Sequence, residues 1–315
     1  MQGANSISIV LPAFNGKALL ERYLPSVLEA CQSYTSGNVE IIIVDDASSD
    51  ETSAYLESNF PFIKLIKQRV NKGFSVCANL GVFSASSNIV VLLNTDIEIA
   101  KDFLLFLPEY FQDETVFAVR PGLYDNLEDK TSGLKNPRVG GAFRFGLFDV
   151  PRAISGEPKL CFFAGGGAAA FDRAKFMQLG GFDTLFSPFY YEDVDLSYRA
   201  LKRGWKIAYE PRSLAYHQGG GTINQFYARW RIKAIAERNK YLLVWKNITD
   251  YKFIFQHIIL TPVRLILSLL KFRFCIILGF FWSFSYLGEV IKRRKQQSLV
   301  AKLKDRQIFN LFSQC

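Results

Sequence analysis

Cysteine is scarce in this chain and follows no pattern. Its five copies, Cys31, Cys77, Cys161, Cys275 and Cys315, are odd in number, widely spaced and never arranged as Cys-x-x-Cys. That argues against a disulfide framework or a zinc knuckle and fits a reducing cytosol. A basic leader is also missing: Met1 runs through Asn5 straight into Ile7, Ile9, Val10 and Leu11, which predicts a protein that is not exported. After this first apolar run stands Pro12-Ala13-Phe14-Asn15, where a dinucleotide-binding enzyme would carry Gly-x-Gly-x-x-Gly. Without that glycine cradle for a pyrophosphate, a Rossmann oxidoreductase is disfavoured. The longest uncharged stretch near the C-terminus, Phe274 to Gly288, has fifteen residues, fewer than the roughly 20 a spanning helix needs.

What is present is bulk and apolarity. With 315 residues and 49% hydrophobic content, the chain can bury one large core, with or without a smaller appendage, and disorder is excluded. The net charge of +9 suggests nucleic acid until it is located. Eleven Lys/Arg and two Asp/Glu lie from Lys252 onward, leaving 27 of each sign before it. The basicity belongs to the tail, where it is interleaved with aliphatics and Phe. That pattern suits anionic lipid and argues against nucleic acid.

The first half alternates β-branched runs with amphipathic stretches: Ser6 to Leu11, Leu19 to Cys31, Glu40 to Val44, Asp50 to Phe60, Ile63 to Lys67, Val76 to Ser84, Ile89 to Leu93. This rhythm predicts an α/β fold with a parallel sheet, its ligand crevice just after residues 11, 44, 67 and 93. Asn126 to Pro158, rich in Gly, Pro and Arg, reads as a long excursion or flap outside the core.

Strand ends carry the chemistry. Asp45-Asp46 closes the second strand, where acids can accept from a base N–H or ribose hydroxyls, or merely shape a capping turn with Ser48 and Ser49. Asn94-Thr95-Asp96 closes the fourth; Asp96 could hold a divalent cation against a diphosphate, although one acid after a strand is equally a structural feature. Gly165-Gly166-Gly167 suits either close approach of an acceptor sugar to the backbone or a tight bend.

Taken together, Ser6 to Asn15, Val44 to Asp50, Asn71-Lys72-Gly73-Phe74, Asn79-Leu80-Gly81, Asn94-Thr95-Asp96, Gly180-Gly181-Phe182-Asp183 and Tyr191 to Leu196 resemble glycosyltransferase family 2, with a GT-A fold, over residues 6 to 245. The resemblance implies a catalytic domain over residues 1–245 and a helical extension over 246–315. It implies a nucleoside-diphosphate sugar donor held by Pro12, Ala13, Phe14, Asn15, Asp45, Asp46, Asn71, Lys72, Gly73, Asn79, Asn94, Thr95 and Asp96. The last Asp of the family's Asp-x-Asp motif corresponds to Asp96; Asn94 stands in the first position and brings no charge. The Asn-x-Asp variant, the Asn71 to Phe74 segment and Glu237-Arg238-Asn239 resemble a rhamnosyltransferase-like branch that builds bacterial surface polysaccharides.

The resemblance places the general base at Asp193, with Glu192 beside it on the acceptor side together with Gly165 to Gly167. Acids in a first helical turn are favoured by the helix dipole and stay ionised near neutral pH, as a base requires; helix-start acids without a catalytic part are the alternative. His217, one of only two histidines, precedes Gln218-Gly219-Gly220-Gly221; a lone His is usually a packed or surface residue, but the resemblance makes it a third ligand, with Asp96, for Mg2+ or Mn2+. The implied reaction is inverting transfer to a glycan or lipid-linked glycan. Two rivals remain. A processive synthase would show Gln-x-x-Arg-Trp, but Gln225 and Arg229-Trp230 are one residue too far apart. A catalytically silent nucleotide-sugar-binding or scaffolding protein would have no use for Asp193. The tail from Phe253, with Ile258, Ile259, Leu265, Ile266, Leu269 and Leu270 on one helical face, a break at Pro262 and the cluster Lys292 to Lys295, predicts peripheral docking on the cytoplasmic membrane face, or else helices that pack on the catalytic domain or form a homodimer interface.

Overall fold

The computed structural model describes residues 5–124, 142–144, 146–149, 159–217 and 226–313. Strands β1 (Ile7–Ala13), β2 (Val39–Asp45), β3 (Lys64–Lys67) and β4 (Ile89–Leu93) form a parallel half-sheet in the order β3-β2-β1-β4. Helices α1 (Lys17–Ser33), α2 (Thr52–Asn59) and α3 (Phe74–Ser84) make the crossovers. The strands read as continuous apolar runs because both faces are covered. Gly81 shows how closely: a Cβ there would lie 2.3 Å from Val10 Cγ1 and 3.2 Å from Val44 Cγ2.

The second half is mixed. Strand β10 (Ala168–Asp172) runs antiparallel to β4 and to β6 (Val116–Tyr124). The long β11 (Lys206–His217) lies parallel to β6 and antiparallel to β5 (Ile97–Ile99). The short β9 (Lys159–Leu160) pairs with β11, and β7 (Ala142–Arg144) with β8 (Leu147–Asp149) forms a separate hairpin. Helices α4 (Arg173–Gln178) and α5 (Glu192–Lys202) pack beside this half. Part of the predicted excursion is therefore core: Phe143, Leu147 and Phe148 are buried in the main cluster. The rest of it, with Gly219 to Gly221 and Gln225, lies outside the described residues.

Helix α6 (Arg229–Asn247) is followed by α7 (Tyr251–Leu270), α8 (Phe274–Ser283), a 3-10 turn at Phe284–Tyr286, α9 (Leu287–Val300) and α10 (Asp305–Ser313). Pro262 does not break α7 as predicted. A proline forfeits one helical hydrogen bond, and the adjoining turn is held through buried His257, which accepts from Trp245 Nε1 at 2.9 Å and donates through Nδ1 to the Gly146 carbonyl at 2.6 Å. Both α7 and the continuous helix Phe274–Val300 are long and apolar enough to cross a membrane by length and composition. The helix extends past the charge-free segment, which is why the fifteen-residue run understated its length.

Two corrections concern the tail. Of the basic cluster, Arg293 pairs with Asp183 and Arg294 donates to the Trp245 carbonyl at 2.6 Å, so only Lys292 and Lys295 face solvent. Leu265 is half-buried, while Ile258, Ile259, Ile266, Leu269 and Leu270 are exposed. The chain then returns to the core: Ile308, Phe309 and Phe312 of α10 are buried among Phe143, Phe148, Phe162 and Tyr198.

Candidate active site

The residues expected to line the crevice follow the carboxyl ends of β1, β2 and β4. Asn15, with a left-handed φ of 47°, accepts from Ser49 N at 2.8 Å and donates its own N–H to Ser48 Oγ at 2.8 Å. The first two strand-to-helix loops are clasped together by this exchange. Asp45 accepts from Ser48 N at 3.0 Å and from the Ser53 hydroxyl, so it ties the turn to the helix that follows, but neither Ser48 nor Ser49 caps that helix: its N-cap is Glu51, with no side-chain cap hydrogen bond. Asp46 accepts from Gln68 Nε2 and Lys72 N, both at 2.8 Å, and from Gly73 N at 2.7 Å. One buried carboxylate thus fixes the Asn71-Lys72-Gly73 loop, whose Asn71 and Lys72 side chains are exposed. Phe14 lies with its ring centroid 5.4 Å from that of Phe226. Pro12 and Ala13 sit in register with Val44 and Asp45. Asn79 takes a different part from the one predicted: its carboxamide pairs with both N–H and C=O of Phe182 at 2.8 Å. It clamps the Gly180-Gly181 turn instead of facing a donor.

Asp96 and His217, far apart in sequence, meet because β11 pairs with β5 and sets His217 opposite Ile97. His217 Nε2 lies 3.2 Å from Asp96 Oδ2. The other oxygen, Oδ1, is buried and has no hydrogen-bond partner among the described residues. Buried carboxylate oxygens are seldom left so. An anionic oxygen beside an imidazole is a donor set that a divalent cation accepts, so these two residues fit the metal.

A glycine bridge joins this corner to the acids of α5. Asn94 N donates to the Gly167 carbonyl at 2.8 Å, and Gly166 N donates to Asp193 Oδ2 at 3.1 Å. A Cβ on Gly166 would lie 3.5 Å from Asp193 Cβ and 3.7 Å from the Phe74 ring. Gly165 has φ of 92°, which favours glycine. These glycines thus form a tight bend packed closely against Asp193 and Phe74.

Asp193 also accepts from Val194 N at 2.8 Å. Burial raises its pKa from the ordinary aspartate value, against the pull of these two N–H groups and of Arg120. Glu192, buried with Oε2 unpartnered among the described residues, is pushed up to about 8 by burial and by the charge of Asp193. Glu192 is therefore the carboxyl of the pair that keeps its proton at neutral pH. Arg120, buried in β6 with its guanidinium 4.2 Å from the Phe163 ring centroid, was missed in the sequence. A cation directly after the apolar run Val116 to Val119 was the available signal. Asp195 supports the turn, as its place after Asp193 suggests. Burial alone would raise its pKa, but Lys246 and Arg199 hold it low, with Lys246 Nζ at 2.7 Å and Arg199 Nε at 2.7 Å.

The model of glycosyl transferase family 2 matches residues 8–180, and that of glycosyl transferase family group 2 matches residues 148–291. The pre-mycofactocin glycosyltransferase of Mycobacterium tuberculosis is 24% identical over 231 residues, 71% of this chain and 45% of that protein. The poly-β-1,6-N-acetyl-D-glucosamine synthase of Staphylococcus epidermidis is 26% identical over 283 residues, 86% of this chain and 66% of that protein. The chain thus spans about half to two thirds of the length of these relatives. Among solved structures, GalNAc-T7 with UDP, GalNAc and Mn2+ superposes with a TM-score of 0.58 at 18% identity, covering 78% of this chain and 49% of that one. A mannosyltransferase from Pyrobaculum calidifontis with GDP-Man and Mn2+ gives 0.55 at 16% identity, covering 98% and 84%. These likenesses establish the GT-A-like fold, and with more than half of its length matched by the family model, the chain belongs to glycosyltransferase family 2.

Proposed function

We propose that this enzyme transfers a sugar, with inversion, from a nucleoside diphosphate to a hydroxyl of a glycan or lipid-linked glycan. The observation that carries the reading is the bridge Gly165–Gly167, which sets the Asp193 carboxylate across from the Asn94-Thr95-Asp96 corner. The acceptor hydroxyl gives its proton to Asp193 as its oxygen attacks the anomeric carbon. The bond to the diphosphate breaks on the opposite face and the electron pair leaves with the nucleotide. Arg120 and the N–H groups of Val194 and Gly166 oppose the effect of burial and favour the ionised form of Asp193, and protonated Glu192 can donate a hydrogen bond to the acceptor. Asp96 and His217 would hold Mg2+ or Mn2+, which supplies charge stabilisation to the departing diphosphate. Among the described residues no cluster of three or more metal-ligating side chains occurs, so Asp96 and His217 are the side chains that would hold the cation.

Rhamnose is the donor sugar suggested by the Asn94-x-Asp96 variant, and surface polysaccharide is the product class. The exposed apolar faces of α7 and α8, flanked by Lys252, Lys271, Arg273, Lys292 and Lys295, support docking on an anionic cytoplasmic membrane surface, where a lipid-linked acceptor resides. The test is to incubate the enzyme and Mn2+ with UDP-, GDP- and dTDP-sugars, dTDP-rhamnose included, and to follow nucleotide release and product anomer. A single added sugar of inverted configuration supports the reading; a polymer ladder would favour a processive synthase. Retained configuration, or donor binding with no turnover on any acceptor, would overturn it.

A further inference from the structure

The segment Glu237-Arg238-Asn239 has no part in the chemistry above, yet its three consecutive side chains reach three different elements. Glu237 pairs with Arg264 of α7 at 2.5 Å. Arg238 lies over the rings of Trp282 and Tyr286, at 4.8 and 4.9 Å, and donates to the Tyr286 hydroxyl at 3.1 Å. Its other Nη donates to the Ser187 carbonyl at 2.5 Å, and its Nε to Asn239 Oδ1 at 2.9 Å. Asn239, fully buried, donates through Nδ2 toward the carbonyls of Phe186, Phe189 and Tyr190 at 2.8, 3.0 and 2.9 Å.

Those four carbonyls belong to the loop that delivers the base. Tyr190 and Tyr191 sit at φ of 73° and 75°, a left-handed region that non-glycine residues seldom occupy, and Tyr191 is the N-cap of α5, directly before Glu192 and Asp193. The same loop passes the donor side, where a Cβ on Gly73 would lie 3.7 Å from the Pro188 carbonyl. Buried carbonyls need donors, and here every one comes from two adjacent side chains of α6. Two turns further along that helix, Lys246 and Asn247 bind Asp195 from the other side.

We infer that Arg238 and Asn239 are positioning residues. They hold the Phe186–Tyr191 loop in its left-handed turn, so that Asp193 faces the reacting hydroxyl, and through Arg238 they tie that loop to Trp282 of the apolar helix α8 and to Tyr286 of the 3-10 turn after it. The inference rests on the reading of Asp193 as the base. Misplacing a catalytic group by about 1 Å costs up to about 10²-fold, whereas a merely structural role lowers only the fraction of folded enzyme.

The variants Asn239→Ala and Asn239→Asp test this; the second keeps the shape and the bond to Arg238 but loses both N–H donors. kcat at saturation is measured per folded molecule, with folding followed by circular dichroism, and donor affinity by titrating the released nucleoside diphosphate with Mn2+. The expected result is a kcat lower by roughly 10- to 100-fold with affinity within about threefold. Asp193→Asn is assayed in parallel. If it is dead while folded Asn239 variants keep kcat within about threefold of the parent, this inference fails and the base assignment stands. If Asp193→Asn itself turns over normally, the base assignment fails first and takes the inference with it.

Discussion

Asp305 offers a sharp test of whether the last helix is part of the catalytic unit. Its carboxylate is completely buried and accepts from the Tyr198 hydroxyl at 2.5 Å and from Thr249 N and Asp250 N, both at 2.6 Å. Lys202 Nζ, nearly buried, lies 2.5 Å away. Asp305→Ala would strand this cation and two main-chain donors. Breaking one side of a buried ion pair costs about 3–5 kcal/mol, and the stranded N–H groups act in the same direction without adding fully. A loss of about 4 kcal/mol would be a large share of the about 5–15 kcal/mol that holds a domain together. At about 2–4 °C per kcal/mol it lowers the melting temperature by roughly 8–16 °C. Burial works against the charge of Asp305, but Lys202, Tyr198 and the N–H groups hold its pKa below the usual carboxylate value of 3.8. The stabilisation is thus fully present at neutral pH and is lost as pH falls below the unfolded value through the folded one, so parent and variant converge in acid. Urea and thermal unfolding at pH 7 and pH 3 measure both effects. A difference under about 1 kcal/mol at pH 7 would refute the reasoning and make α10 an accessory that the core does not need.

Asp193→Asn lowers transfer by about 10²–10⁴ while donor affinity is kept, because the shape survives and the proton acceptor does not; a rate within about tenfold of the parent removes Asp193 from the mechanism. Asp96→Ala abolishes the manganese dependence of donor binding and His217→Ala weakens it less, since only the carboxylate carries charge; titrating Mn2+ against donor affinity decides, and an unchanged dependence for Asp96→Ala places the cation elsewhere. Glu192, pushed up from 4.5 to about 8, keeps its proton in the folded state while the unfolded chain releases it, so the parent loses stability relative to Glu192→Gln as pH rises from 4.5 to about 8. Denaturant unfolding of the two proteins at pH 5 and pH 9 should show that gap widening; parallel curves would contradict it. Full-length enzyme should float with anionic but not neutral vesicles, and Ile258→Asp with Ile266→Asp should release it without changing its melting temperature. A dimer that these changes dissociate, with no flotation, would assign the face to self-association.

The local patterns that can be read along one dimension were legible in the sequence. Apolar β-branched runs marked the four parallel strands to within two residues at their carboxyl ends, because strands buried on both faces must be apolar throughout. Acids at those ends marked the crevice. Sequence distance hid the rest. That His217 stands 3.2 Å from Asp96 depends on an antiparallel pairing between β11 and β5. Asn79 looked like a donor ligand in its motif, yet a partner 103 positions away occupies its amide. Arg293 and Arg294 read as surface charge until α9 folded back on Asp183 and Trp245. Arg120 and the return of α10 to the core are likewise products of packing. Composition and periodicity decide which faces must be buried, but only the folded chain decides which polar groups they bring together, since that depends on contacts between residues far apart in sequence.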